Sequence, residues 1–514
     1  MLLKKLKNLI NNQSSGNDNS DLIFIPNLDD NNTSNTIPKS LIYQTRFNRG
    51  VNFGSMFVLE KWIYHSLYPP NCPSDCELDC MKSCSNIEDI ATKLTDHYKV
   101  FIDDDGQWEW LSKQAGVNSI RVPIGYWHVK NGDILAESSI SDSLLFKQVI
   151  KVYQMAKPYD YLRKLIEKCE KYNIGVLIDL HGLPGSVNGQ SHNGEIVNPP
   201  KFFEQEAYSS FIIKEIIPFL VNDLQNFENI IGLQVVNEAS FADKNSNLEN
   251  KEMDYYLDCL KTVRGLDCSW PVIISDGWWP EQWSDWVNKM GLATEIVIDS
   301  HCYRCFSDSD KNKTVTQIIG ELPQTFNLPD TADFVVGEFS CVLDGASWGK
   351  TSVSGADREE LVKQFGNKQV EIFNERAHFG WFFWTFKFEL GDGGEWGFVP
   401  MIEKGCIPGA KTGCEEFNID ENRIGQIVAE HVNYWKNNCG GNDSKFEHWR
   451  FEDGLKQACA DISDFAKFNN SRIGRVKFWK NFRRQNYLRT KNDSEYMWEW
   501  DQGYERGLNE FNRY

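Results

Sequence analysis

Between about residue 46 and residue 400 the chain alternates short, nearly continuous apolar runs with longer, helix-like segments. The runs are RGVNF from Arg49, SIRVPIG from Ser119, GVLIDLH from Gly175, IIGLQVVNE from Ile230, PVIISD from Pro271, IVIDSHCY from Ile296, DFVVGEF from Asp333 and GWFFWTFK from Gly380. Strands covered on both faces need such continuous apolar character, and strands alternating with helices specify a parallel sheet. Eight of them predict an α/β fold, a closed (β/α)8 TIM barrel. Most runs end on a polar or ionisable group: Arg121, Asp179 with His181, Asn237 with Glu238, Asp276, His301 with Tyr303, and Glu338. In a parallel barrel all strand C-termini open on one face, where active sites of this architecture sit. One strand-end carboxylate is ordinarily a helix cap or an arginine partner. Two of them, with two histidines, an arginine and an asparagine at matching ends, predict a site.

The texture changes at both ends of the chain. Residues 1–40 are Asn, Ser and Asp with few aromatics, too polar to offset the entropy of ordering, and read as a disordered tail. The barrel is expected over 41–414 and a helical extension packed on it over 415–514. Within the extension, CEEFNIDENRIGQIVAEHVNYW and FEHWRFEDGLKQACADISDF read as helices. Ser471 to Lys491 carries Arg and Lys without an acid: a solvated face, a surface that docks on acidic neighbours, or a membrane or partner contact.

Charge narrows the partners. Against 54 Lys and Arg stand 73 Asp and Glu, and a net charge of −19 repels nucleic acid and anionic lipid alike. The 18 Trp, 32 Phe and 18 Tyr suit stacking on flat apolar faces such as those of sugars. No apolar run is long enough to span a membrane, so no transmembrane segment is expected. Lys4, Lys5 and Lys7 interrupt any secretory core, so the protein is expected to be cytoplasmic, with secretion by a non-standard route as the alternative. No oligomeric state is specified. Cys72, Cys76, Cys80 and Cys84 lie four apart, a spacing that lacks the paired knuckle of structural zinc sites. A local insertion without chemistry is the expected reading, with disulfides or metal binding as the alternatives.

Two carboxylates on one rim suit the splitting of a glycosidic bond. One protonates the departing oxygen, the other meets the oxocarbenium-like carbon, and a retaining mechanism needs them about 5–5.5 Å apart. Asn237 beside Glu238 is placed to hold a sugar 2-hydroxyl. There is no glycine-rich phosphate loop, nucleophile elbow or His-Glu-x-x-His, and neither a metal nor an organic cofactor is called for.

RGVNFGSMFVLEKWI, GVNSIRVPIGYWHV, LIDLHGLPGSVNG, VVNEAS, DSHCYRCF, VVGEFS and GWFFWTFKFE, in unbroken order from about residue 46 to 400, together resemble glycoside hydrolase family 5, in its branch of fungal exo-β-1,3-glucanases. The resemblance implies Glu238 as general acid/base, Glu338 as nucleophile and Arg121 as the arginine that orients the nucleophile and keeps it ionised. His181, His301 and Tyr303 would ring the first sugar, Trp384 would lie beneath it, Glu60 would recognise the terminal glucose, Asn188 would sit in a closing loop and Phe306 would clamp the next sugar. The chain departs from the branch at Gly54-Ser55-Met56, Ala239 and Phe339, none of which removes a catalytic group. The implied activity is a retaining, exo-acting glucan 1,3-β-glucosidase releasing glucose from β-glucan or a β-glucoside. The alternatives are an intracellular β-glucosidase for a sterol- or lipid-linked glucoside, and a non-catalytic carbohydrate-binding scaffold.

Overall fold

The computed structural model describes residues 19–26, 37–69, 72, 74–138, 140, 146–410, 419–439 and 445–512. Eight parallel strands close on themselves in chain order. They are β1 Asn48–Asn52, β2 Ser119–Gly125, β3 Gly175–Gly182, β4 Ile230–Gln234, β5 Val272–Ser275, β6 Ile296–Arg304, β7 Asp333–Leu343 and β8 Gly380–Phe383. Each expected apolar run supplies one strand, and β2, β3, β4, β5 and β8 are buried along their whole length. That is the burial a sheet covered on both faces requires.

The helices between strands start where the sequence offers caps. Helix α1 (Ile87–Ile102) follows Asn86, whose side chain accepts from the Asp89 N–H. Helix α2 (Pro158–Lys171) opens on a proline, tolerated there because the first N–H of a helix has no internal partner. Helix α3 (Asn247–Gly265) is capped by Ser246, and α4 (Val315–Thr325) and α5 (Gly355–Arg376) by the reciprocal pairs Thr314/Gln317 and Ser354/Asp357. On α2 the buried residues Leu162, Leu165, Ile166 and Cys169 form the stripe of an amphipathic helix laid on the barrel.

Two strand boundaries differ from the sequence reading. β4 stops at Gln234, so Asn237 and Glu238 lie in the loop beyond it rather than at its end. Glu238 has φ 45°, a left-handed backbone that cannot continue a strand and is costly for a residue with a Cβ. β7 instead runs past Glu338 to Leu343, where register shifts against β6 and β8 let it extend.

Ahead of the barrel, residues 19–24 are ordered against it. Asn19 Nδ2 donates to the Met290 carbonyl at 2.9 Å, the Phe24 N–H to Glu295 Oε2 at 3.1 Å, and Arg264 Nε to the Leu22 carbonyl at 3.1 Å. Residues 1–18 and 27–36 of the expected tail lie outside the described residues. In the insertion after β1, Cys72 and Cys80 are disulfide-bonded, while Cys76 and Cys84 are buried free thiols.

Residues 25–47 and 411–514 form a second compact unit. Its helices are a short turn at Lys39–Thr45, then α6 (Glu421–Asn438), α7 (His448–Lys467), α8 (Val476–Thr490) and α9 (Met497–Phe511). Residues 41–47, expected in the barrel, belong here: the Phe47 N–H donates to the Arg472 carbonyl and the Arg475 N–H to that of Thr45, both at 2.9 Å. α7 and α9 touch backbone to backbone, since a Cβ on Gly454 would lie 2.2 Å from the Trp500 carbonyl oxygen and one on Gly503 2.0 Å from that of Phe451. The basic run becomes α8 and finds acids within its own unit: Arg483 pairs with Asp461 at 2.6 Å and Arg484 with Asp501 at 3.2 Å. Among the described residues no helix is long and apolar enough to cross a membrane.

One buried acid in the barrel gives a stability prediction. Glu252 on α3 is fully buried, and burial, assisted by Glu249, pushes its carboxyl up to about 9. Its folded pKa lies above the unfolded value, so its contribution is complete below about pH 4.3 and is lost as pH rises toward the folded value. Glu252→Gln should therefore stabilise the chain by about 2 kcal/mol near pH 8 and by little near pH 5, read from urea unfolding midpoints. Equal effects at both pH values would contradict a neutral buried carboxyl.

Candidate active site

Strand alternation aims one set of side chains into the barrel mouth. Residues two apart on a strand share a face, so Asp179 and His181 on β3, and Asp299, His301 and Tyr303 on β6, point the same way. β6 and β7 pair with His301 opposite Glu338. Gly337 makes room for this: its N–H donates to Asp299 Oδ1 at 2.7 Å, and a Cβ there would lie 2.2 Å from that oxygen.

Arg121, fully buried, is the hub. Its Nη1 donates to Glu338 Oε1 and to Asn52 Oδ1, both at 2.9 Å, its Nε to Gln234 Oε1 at 2.9 Å, and its Nη2 to Asn237 Oδ1 at 2.7 Å. Nη2 also pairs with Asp179 at 3.0 Å and lies 3.9 Å from Asp299. Burial works against the charge on Arg121, but Asp179, Glu338 and Asp299 outweigh it and hold the proton on. Tyr303 donates to Glu338 Oε2 at 2.9 Å, so both oxygens of that carboxylate are fixed.

Glu238 faces the same space. A carboxylate oxygen of Glu238, one of Glu338 and a ring nitrogen of His301 all lie within 4.8 Å of one another. His301 Nδ1 meets Glu238 Oε1 at 2.8 Å while its Nε2 meets Asp299 Oδ2 at 3.1 Å. Burial disfavours a charged His301, yet Glu338, Asp299 and Glu238 outweigh it and raise its pKa well above the ordinary imidazole range. The sequence reading has Glu238 holding a proton and Glu338 ionised. The structure reverses the order: against the upward push of burial, the His301 hydrogen bond and the charges of His192 and His301 hold Glu238 down to about 2, and burial with Glu238 repulsion raises Glu338. The difference is one of proton position. His301 protonated beside ionised Glu238, and neutral His301 beside protonated Glu238, are tautomers across a single 2.8 Å hydrogen bond.

The remaining predicted residues line this space. Burial, with His192 and Arg121, keeps His181 neutral; it donates Nδ1–H to Asp179 Oδ2 at 2.7 Å, leaving Nε2 to face Asn237 Nδ2 at 3.5 Å. Trp384, just past β8, stacks parallel to the His181 ring at 6.0 Å. Asn188 Nδ2 donates to the Glu238 carbonyl at 3.0 Å and so braces the left-handed turn. Glu60 accepts from Trp62 Nε1 at 2.8 Å, and burial, with repulsion from Glu338 and Glu238, pushes it up to about 8. Phe306 is 63% exposed and meets Tyr303 edge-on at 5.5 Å, with Trp396 and Trp62 continuing an aromatic rim.

Several residues of the site escape the sequence reading. His192, whose Nε2 lies 3.4 Å from Glu238 Oε2, sits in a single 3-10 turn, Ser191–Asn193, too short for any periodicity to mark it. Asp299, Gln234 and Asn52 fix the charged groups from behind, and the strand period that places His301 also marks Asp299, two residues earlier. The tryptophans of SDGWWPEQWSDWV, which the sequence offers both as subsite builders and, at helical spacing, as packing residues, divide accordingly: Trp283 and Trp286, on the helix Pro280–Lys289, are buried, while Trp278 ahead of it is exposed and meets the His301 ring at 6.3 Å.

Two separately positioned carboxylates, Glu338 buried and Glu238 half-buried, at the mouth of a parallel barrel are the equipment of a glycoside hydrolase. Residues 82–389 match the family described as cellulase, glycosyl hydrolase family 5, and residues 418–514 match the glucan 1,3-beta-glucosidase 3 C-terminal domain. The chain belongs to glycosyl hydrolase family 5. It is 48% identical to an uncharacterized glycosyl hydrolase of Saccharomyces cerevisiae over 94% of this chain and 96% of that one. It is 28% identical to glucan 1,3-beta-glucosidase 3 of Schizosaccharomyces pombe over 86% of this chain and 91% of that one. The barrel fold is shared with the rutinosidase from Aspergillus niger, at a TM-score of 0.53 and 18% identity, over 72% of this chain and 99% of that chain.

Proposed function

We propose that this glycoside hydrolase is a retaining, exo-acting β-glucosidase for β-1,3-glucan or a β-glucoside. The observation that carries the reading is the approach of Glu238 and Glu338, whose oxygens lie within 4.8 Å. A retaining pair stands about 5–5.5 Å apart, whereas an inverting pair needs about 6.5–9.5 Å to admit water between the carboxylate and the sugar. Glu338, held by Arg121 and Tyr303, attacks the anomeric carbon as the glycosidic C–O bond breaks, and Glu238 delivers a proton to the departing oxygen. Glu238 then takes a proton from the water that releases the sugar from Glu338. The exo reading is supported by Glu60, which lies close enough to feel both carboxylates, and by the names of relatives that are glucan 1,3-beta-glucosidases.

The test is proton NMR of the first products from β-1,3-, β-1,4- and β-1,6-linked glucose oligomers and a β-glucosyl sterol. β-Glucose appearing first from the non-reducing end is the expected result, with the β-1,3 oligomer preferred. α-Glucose as first product would overturn the retaining step, internal cleavage the exo reading, and sterol preference the glucan.

In this scheme the acid's proton rests on His301, crosses the 2.8 Å bond to Glu238 and passes on to the departing oxygen, and the proton that Glu238 takes from water in the second step returns to His301. Activity that needs this proton persists above the ordinary imidazole range and falls only on the far basic side. His301→Asn should pull the basic limb of kcat/KM down by at least about one pH unit and lower the neutral-pH rate roughly 10- to 100-fold. A limb that stays in place would separate His301 from the proton.

A further inference from the structure

We propose that His431, His448 and Glu499, in the C-terminal helical unit, form a binding site for a divalent zinc-class cation. The residues come from three helices: His431 from α6, His448 from the first turn of α7 and Glu499 from the first turn of α9. Their donor atoms converge. His431 Nε2 lies 3.1 Å and His448 Nδ1 2.8 Å from the same oxygen, Glu499 Oε2, and all three atoms are within 4.8 Å of one another. Tetrahedral zinc with bonds of about 2.0–2.1 Å spaces its donors by about 3.3 Å, so each histidine–glutamate separation needs to open by only a few tenths of an ångström to match it. Two imidazoles and one carboxylate are a zinc donor set, with the fourth position left to water.

Charge balance points the same way. Glu499 is fully buried, and among the described residues its ion pairs are with these two histidines and with no lysine or arginine. A buried carboxylate needs a compensating cation. The surroundings also orient the donors. The Glu447 N–H donates to Glu499 Oε1 at 2.8 Å, which turns the other oxygen toward the histidines. The His431 ring stacks on Phe451 at 3.7 Å and 11°, and Phe446, which packs on Trp435 and Trp498, lies 5.7 Å from the His448 ring. Such outer contacts fix ligand geometry at metal centres. A cation here would clip α6, α7 and α9 together, a gain for a small helical unit.

The test uses the full chain, stripped with a chelator and titrated with zinc and with cobalt(II), as wild type and as H448A, E499Q and E238Q. Expected for wild type are one zinc per chain, a tetrahedral cobalt(II) visible spectrum, X-ray absorption showing imidazole ligands without sulfur, and a higher melting temperature with zinc. E238Q, which alters the barrel's own Glu238, His301 and Glu338 cluster, should keep all of these, whereas H448A and E499Q should lose the spectrum and bind zinc at least about 100-fold more weakly. Sulfur ligands, equal binding in wild type, H448A and E499Q, loss in E238Q, or no uptake by wild type would each overturn the proposal. Should H448A or E499Q fail to fold, wild type against E238Q, with the absorption data, still decides.

Discussion

Glu338→Ala should reduce turnover of any β-glucoside roughly 10⁴- to 10⁶-fold, the range seen when a nucleophile is removed from a preorganised site. The fold should survive, and the melting temperature should stay level or rise. Three carboxylates, Glu338, Asp179 and Asp299, crowd around the single guanidinium of Arg121. Removing one relieves repulsion that burial makes expensive, and Arg121 keeps Asp179 at 3.0 Å. Active sites commonly trade stability for chemistry in this way. Steady-state rates on an aryl β-glucoside and a calorimetric melt check both halves. A rate within tenfold of wild type would remove Glu338 from the nucleophile role, and a collapse of the melt would show that its part is structural.

Arg121→Met should fail in the opposite manner, losing stability together with activity. Methionine fills much of the volume but leaves Asp179, Asp299 and Glu338 buried with no guanidinium, and it strips hydrogen bonds from Gln234, Asn52 and Asn237. Removing one partner of a buried ion pair costs about 3–5 kcal/mol, and here the lost partner is shared. The expected reading is a urea midpoint shifted by at least that energy, with negligible activity in the folded fraction. Adding Glu338→Ala to Arg121→Met should return part of the stability, because one stranded charge goes with it. Strict additivity of the two changes would mean that they do not interact.

The barrel was legible because each apolar run is long enough to be a strand and each is separated from the next by a helical segment, several of them opened by a cap or a proline. The rim was legible for the same reason: a strand's period of two places Asp179 with His181 and His301 with Tyr303. What escaped depends on contacts between segments far apart in the chain. Nothing local to Glu238 announces a left-handed backbone, which arises where the Asn188 side chain and the chain beyond Gln234 meet. The reversal of the two carboxylates' proton affinities depends on His301 lying within 2.8 Å of Glu238, a distance composed from two strands and a loop. The meeting of His431, His448 and Glu499 is likewise a property of three-dimensional arrangement, whereas the pairing of Cys72 with Cys80, only eight residues apart, turns on a local backbone path that their equal spacing does not specify.

The ordered residues 19–24 bear on how the molecule is made. Their partners Arg264, Met290 and Glu295 lie up to 271 positions later in the chain. A ribosome therefore releases this segment long before anything exists for it to bind, and the segment must wait, solvated, while the first five strands are synthesised. The docking of residues 19–24 is thus among the later events of barrel assembly, and fusions placed before residue 19 should burden the end of folding rather than its start.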